Sequence, residues 1–192
     1  MHEDEHMPQL DELGVDGFDT TDQSIDLSRS LLTVNVGKAG LLKAFGHEHV
    51  VEAHISRGLI REASPPRIEF AVDSSKMSVR PDKAISAKAQ AKIQDGMHHK
   101  VLEVEAYPEI HFRSTAISES SSKSWSVTGI LTLHGIAKSI ALDVTRNGNA
   151  YAGTTRIRQS EYGIKSEKVA GGLVRVEDEL VISFEVWLRE QA

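Results

Sequence analysis

The residues from Trp125 to Val144 constrain this chain more than any other stretch. Val127, Gly129, Leu131 and Leu133 alternate with Ser126, Thr128, Ile130 and Thr132. His134-Gly135 breaks the run. Ile140, Leu142 and Val144 then alternate with Ser139, Ala141, Asp143 and Thr145. Apolar residues at every second position, interrupted by a glycine, read as a strand, a tight turn and a second strand. Much of the chain repeats this pattern. A chain built from such hairpins must close a barrel or stack two sheets, and a closed barrel can hold a ligand.

The remaining strands follow from the same alternation. Leu32, Val34 and Val36 mark a first strand ending at Gly37–Gly40. Val51, Ala53 and Ile55 mark a second over roughly 50–60, with Gly58 placed to bend or bulge it. After the Ser64-Pro65-Pro66 turn, Ile68, Phe70 and Val72 mark a third. Ile110, Phe112 and Ser114 mark a fourth, after Tyr107-Pro108. The Trp125–Val144 hairpin supplies the fifth and sixth. Asn147-Gly148-Asn149 is a second hairpin turn, leading to a seventh strand at 151–158. Leu180, Ile182, Phe184, Val186 and Leu188 mark the last, over 174–188. Between the third and fourth strands, Ile85, Ala89, Ile93 and Met97 recur every four residues. They predict one amphipathic helix over 82–96, started by Pro81 and Asp82 and stopped at Gly96. The fold class is therefore all-β with one helix: an eight-stranded antiparallel barrel with the helix between strands 3 and 4.

Charge divides the chain unevenly. Residues 1–26 hold nine acids and no Lys or Arg, so of 28 acidic and 22 basic residues the remainder has 19 and 22, a net +3. Residues 1–28 read as an acidic, flexible extension and 29–190 as the barrel domain. The alternative is that Leu10, Leu13, Val15 and Phe18 make the extension an edge cover or docking strip. No basic patch with interleaved aromatics points to nucleic acid. No run reaches the ~20 apolar residues of a membrane-spanning helix. The N-terminus carries no export leader, which predicts a cytoplasmic protein, or a periplasmic one if a leader has been removed. There is no cysteine, which excludes disulfides and thiol chemistry.

The order of four motifs resembles the YceI-like family of lipocalin-like barrels. They are F-G-H-E-H-V at 45–50, Y-P-E-I-H-F at 107–112, G-I-L-T-L-H-G-I-A-K at 129–138 and E-Y-G-I-K at 161–165. The resemblance spans about residues 30–188. It implies a lipocalin-like barrel with an elongated apolar cavity, and a protein that binds a polyisoprenoid, an isoprenoid quinone or a related amphiphile. It implies no required cofactor beyond such a bound lipid. The chain departs from the pattern at Met97–Pro108, where Val101 and Leu102 stand in place of an Asp-Phe-Phe sequence carried by many relatives.

Alternation assigns the cavity wall. Val34, Val51, Ile55 and Phe70 come from the first three strands, and Ile110 and Phe112 from the fourth. Leu131, Leu133, Ile140 and Leu142 come from the opening hairpin, and Ile182 and Phe184 from the last strand. His47, His49, Arg80 and Lys83, at strand ends or the helix start, are candidates to meet a polar headgroup.

Two other functions compete. His47 and His49 share one face of an extended strand and could bind a metal with a third histidine from His54, His111 or His134. No third ligand sits at a diagnostic spacing, so no metal is expected on this reading. A filled barrel acting through its acidic head as an interaction module is the other. Catalytic motifs such as G-x-S-x-G, the Walker loop or G-x-G-x-x-G are absent from the sequence, so no enzyme is expected. Glu161 reads as a surface residue beside a turn at Gly163. A homodimer is compatible with this barrel.

Overall fold

The computed structural model describes residues 22–39, 49–165, 168–169 and 174–189. Eight long strands form the wall: β2 (Leu31–Ala39), β3 (His49–Arg61), β4 (Arg67–Asp73), β6 (Glu109–Ser121), β7 (Ser124–Leu133), β8 (Ile136–Asn147), β9 (Ala150–Arg158) and β11 (Val174–Trp187). Three short strands are added to it: β1 (Asp22–Ser24), β5 (Ser78–Val79) and β10 (Lys168–Val169). Each long strand pairs antiparallel with the next in sequence, and β11 returns to pair with β2. The sheet is thus a closed up-and-down barrel of eight strands, as the alternation predicts.

Side-chain parity follows the sequence closely. Val127, Leu131 and Leu133 on β7, and Leu142 and Val144 on β8, are buried. The β7–β8 turn has both central residues at positive φ, His134 at 51° and Gly135 at 72°. That geometry matches the twist of the flanking strands. A β-carbon at Gly135 would also lie 2.8 Å from the Tyr107 ring. On β3 the register slips between Ile55 and Arg57. Parity therefore changes from the odd residues Val51, Ala53 and Ile55 to the even residue Ile60, all of them buried. The irregularity predicted at Gly58 is present two residues earlier.

The helix differs from its predicted bounds. Asp82 caps a turn, accepting from Ala84 N at 2.8 Å. Helix α1 begins at Ala87, capped by Ser86, whose Oγ accepts from Ala89 N at 3.2 Å, and it runs to Gly96. Gly96 does not stop it. Its φ of −61° is helical, and one wide π-turn, Met97–Val101, follows. Glu103, at φ 46°, ends the run instead. His99 Nδ1 lies 3.1 Å from the Asp95 carbonyl near the helix end.

The boundary at 28/29 also moves. Residues 22–28 belong to the barrel rather than to a flexible extension. Strand β1 pairs with β3, and Ile25 bridges Leu188, each only 2% exposed. Asp26 N donates to Trp187 O at 2.7 Å, and Ser30 Oγ accepts from Trp187 N at 2.9 Å. This stitching closes one end of the barrel. The physical reason is burial: Ile25 is one apolar residue among acids, and the barrel end offers it a dry site. The acidic residues 1–21, with the segment around Leu10 and Phe18, lie outside the described residues.

Two outcomes test this reading. Ile25→Ala should cost about 2–4 kcal/mol in urea unfolding, as a core truncation does. On the outer face, Glu69 is partly desolvated, but Arg67 and then His111 hydrogen-bond it, and its carboxyl is held below the ordinary value. A carboxyl depressed in the fold contributes stability above its unfolded pKa and loses it as pH falls through the folded value. Glu69→Gln should therefore flatten the acid limb of stability against pH, with little change below that limb.

Candidate functional site

The inward faces do not fill the barrel. They enclose a cavity of about 570 Å³. Eleven of the twelve residues assigned to its wall by alternation line it: Val34, Val51, Phe70, Ile110, Phe112, Leu131, Leu133, Ile140, Leu142, Ile182 and Phe184. Ile55 does not. It is buried in the core, where the β3 register slips, without bordering the void. Phe70 and Phe112 stack at 5.4 Å on adjacent strands and form one side of the slot.

Helix α1 covers the end opposite Ile25. Ala89, Ile93, Met97 and Val101 present one stripe to the cavity, and Leu102 follows them. Val101 and Leu102 are thus part of the wall. Glutamines hold the helix down: Gln94 Oε1 accepts from Val79 N at 2.7 Å and Gln94 Nε2 donates to Met77 O at 2.9 Å.

Polar groups gather at the helix end, and of the four candidates the sequence singles out, His49 is the one described residue among them. His49 lines the cavity, while His47 lies outside the described residues. Arg80 points away and pairs with Glu52 at 2.8 Å on the outer surface. Lys83, in the turn before α1, is exposed and not part of the lining. The charged residues that do line the cavity are Lys92, Lys100 and Lys165, with no Asp or Glu among the described lining residues. Lys92 and Lys100 each precede an apolar stripe residue, Ile93 and Val101, so their signal was present in the helical spacing. Their aliphatic stems lie on apolar wall while the ammonium groups reach water. Lys165 had no such signal, because a 3₁₀ turn at Gln159–Tyr162 places it.

The described histidines named as further ligands lie apart from one another. His54 is exposed, His111 Nε2 lies 3.1 Å from Glu69 Oε1, and His134 Nε2 lies 2.6 Å from Glu103 Oε2. Among the described residues no three His, Asp or Glu side chains gather to hold an ion.

The closed eight-stranded barrel agrees with comparisons to known proteins. The model of the YceI-like domain matches residues 23–188. The chain belongs to the YceI-like domain family. Curated relatives named UPF0312 protein, from Pseudomonas savastanoi and Pseudomonas syringae, are 38% identical over 74 residues. That match covers 33% of this chain and 38% of each relative, so the chain spans well under half their length in the match. Two solved structures share the fold. Burkholderia cenocepacia BcnA superposes with a TM-score of 0.60 at 20% identity, covering 84% of this chain and 98% of that one. A Saccharophagus degradans domain, described as polyisoprenoid-binding and implicated in plant cell wall breakdown, gives 0.59 at 13% identity, covering 89% and 99%.

Three of the YceI-like motifs meet at one corner beside the helix end. The Tyr107 ring lies 4.1 Å from the His134 ring. Gly163, at φ 71°, is a helix-end glycine, and a β-carbon there would lie 3.8 Å from His134 Nδ1. Glu103 completes the corner through its bond to His134. Glu161 is exposed beside this turn, as expected. Distant pieces of sequence thus form one brace where the lid joins the wall. The brace lines no part of the cavity except through its neighbours Leu133, Ile164 and Lys165. His134→Ala should loosen this corner, with faster amide exchange at Glu103–Tyr107 measured against unchanged protection in β7.

Proposed function

We propose that this YceI-like protein is a non-enzymatic carrier or store for a long apolar or amphiphilic lipid, such as a polyisoprenoid or an isoprenoid quinone. One observation carries the reading: a continuous apolar slot of about 570 Å³ that ends at a rim of lysines. Protein interiors are close-packed, so an apolar void of this size lacks contacts on one side of every wall residue. A hydrocarbon chain restores those contacts. Each methylene it buries contributes about 0.8 kcal/mol, without any directional chemistry. The description of the Saccharophagus degradans domain as polyisoprenoid-binding supports the same ligand class.

On this reading the polar end of the ligand lies at the rim. Lys92, Lys100, Lys165 and His49 stand where a headgroup would emerge, while Ile25, bridged to Leu188, stops the tail at the far end. Val34, Phe70, Phe112, Leu131, Ile182 and Phe184 then contact the tail.

Organic extraction of the purified protein, followed by mass spectrometry, should release a prenyl lipid or quinone. Absence of any lipid, together with no binding of a farnesyl probe, would falsify the carrier reading. Ile182→Trp should fill the slot and weaken probe binding at least tenfold, or about 1.4 kcal/mol, while the protein stays folded by circular dichroism. Lys92→Glu with Lys100→Glu should weaken a farnesyl phosphate more than farnesol, and the difference should shrink in high salt.

A further inference from the structure

The barrel wall has a seam. Pairing between β8 and β9 starts beside the Gly148 turn, at Asn147 with Ala150, and ends at Asp143 with Thr154. Both strands run on beyond that point. Strand β8 extends back to Ile136, paired throughout with β7, and β9 extends to Arg158, paired throughout with β11. Over 136–142 and 155–158 each strand is held on its far side, and the two do not pair with each other. Seven residues of strand correspond to about 20 Å of wall.

A side chain takes the place of the ladder at the start of this stretch. Thr155 Oγ1 donates to Ala141 O at 3.0 Å. The wall also parts physically. Ile140, Leu142, Thr155 and Ile157 line the interior slot, and the same four residues line a polar groove on the outside, with Asp143 and Arg156. Consecutive residues of both parities, 139–143 and 154–157, border the outer groove, as the edges of two separated strands do. At the far end, Gly163 lies against Ile136 and closes the seam.

We propose that this seam is the gate through which the ligand's tail enters sideways, an inference that rests on the carrier reading. Entry from the helix end alone requires a long tail to thread the slot end-on, or the helix to lift. Lifting the helix breaks a set of contacts to β5 and its approach. Gln94 bonds Val79 N and Met77 O, Gln90 Nε2 donates to Val79 O at 3.1 Å, and His98 Nε2 lies 2.9 Å from Met77 O. Widening the seam breaks one hydroxyl bond. The strand-edge groups along it already face the outer groove, so water can satisfy them as it opens. The polar outer lips stay wet while the apolar inner lips receive the chain.

The chain has no cysteine, so two introduced thiols define a single crosslink. Ala141→Cys with Arg156→Cys, bridged by a short bismaleimide, ties the seam. Ser118→Cys with Ser126→Cys, a registered pair across β6 and β7 away from the seam, is the control. Stopped-flow entry and exit of a dansyl-farnesyl probe should slow sharply with the seam tied and stay unchanged in the control. Thr155→Val should speed both rates about fivefold, the factor expected for one lost hydrogen bond. Equal rates for the two crosslinked proteins would overturn the gate. Acceleration by Gln94→Ala but not by Thr155→Val would place the entrance under the helix and overturn it as well. Equilibrium binding is read first on the uncrosslinked protein: no binding there sinks the carrier reading and the gate with it, whereas normal binding with indifferent rates sinks the gate alone.

Discussion

The rest of this structure depends on the pairing of its last strand with its first long one. Strand β11 meets β2 from Glu185 with Leu31 to Arg175 with Ala39, residues about 150 positions apart in sequence. Until that pairing forms, the meander has two exposed edges, each a row of unpaired N–H and C=O groups. Once formed, it removes both edges and gives the sheet an inside. Such long-range closure carries a large loop entropy and makes the topology slow to form. The short stitching around it answers that cost locally. Ile25 seats against Leu188, and Ser30 bonds both Asp26 O and Trp187 N.

Closure also explains why the inside is a slot. Eight strands make a barrel just wide enough either to be filled by side chains or to hold one small ligand. Here the filling falls short, because the walls are mostly Val, Ile and Leu and only 5% of the chain is aromatic. The large rings lie against the wall. Phe184 sits across from Gly153 on the neighbouring strand, and Phe112 lies over Gly129, where any β-carbon would run into the ring. Glycine at these two strand positions lets an aromatic ring lie flat on the backbone. The bulk is thereby kept at the wall and the axis is left open, with the lysine rim at one end and Ile25 at the other.

Much of this was legible in the chain, for a definite reason. Period-two alternation reports which side of a sheet is dry, and the slot wall is that dry side. That is why Leu131, Leu133, Ile140 and Leu142 could be placed without coordinates. It fails where the period breaks. Ile55 shares its parity with Val51 and is buried with it, yet it sits where the β3 register slips and does not line the slot. The helix start failed for a related reason. Asp82 and Ser86 are both good caps, and local sequence cannot decide which one closes a turn and which opens a helix. Arg80 looked available because its partner Glu52 is distant in sequence. Lys165 was invisible because a turn on the opposite side of the barrel brings it to the rim.

By itself, the sequence determined the strands, their dry faces, the tight turn at His134-Gly135, the single helix and the family, because each is written in local spacing or in short motifs. Tertiary structure alone decided the rest. It drew residues 22–28 into the barrel, chose which lysines face the slot, brought Tyr107, His134 and Gly163 to one corner, and parted β8 from β9. Those features depend on which strands meet after closure, and on where their pairing stops. Neither is encoded in the alternation of any one strand.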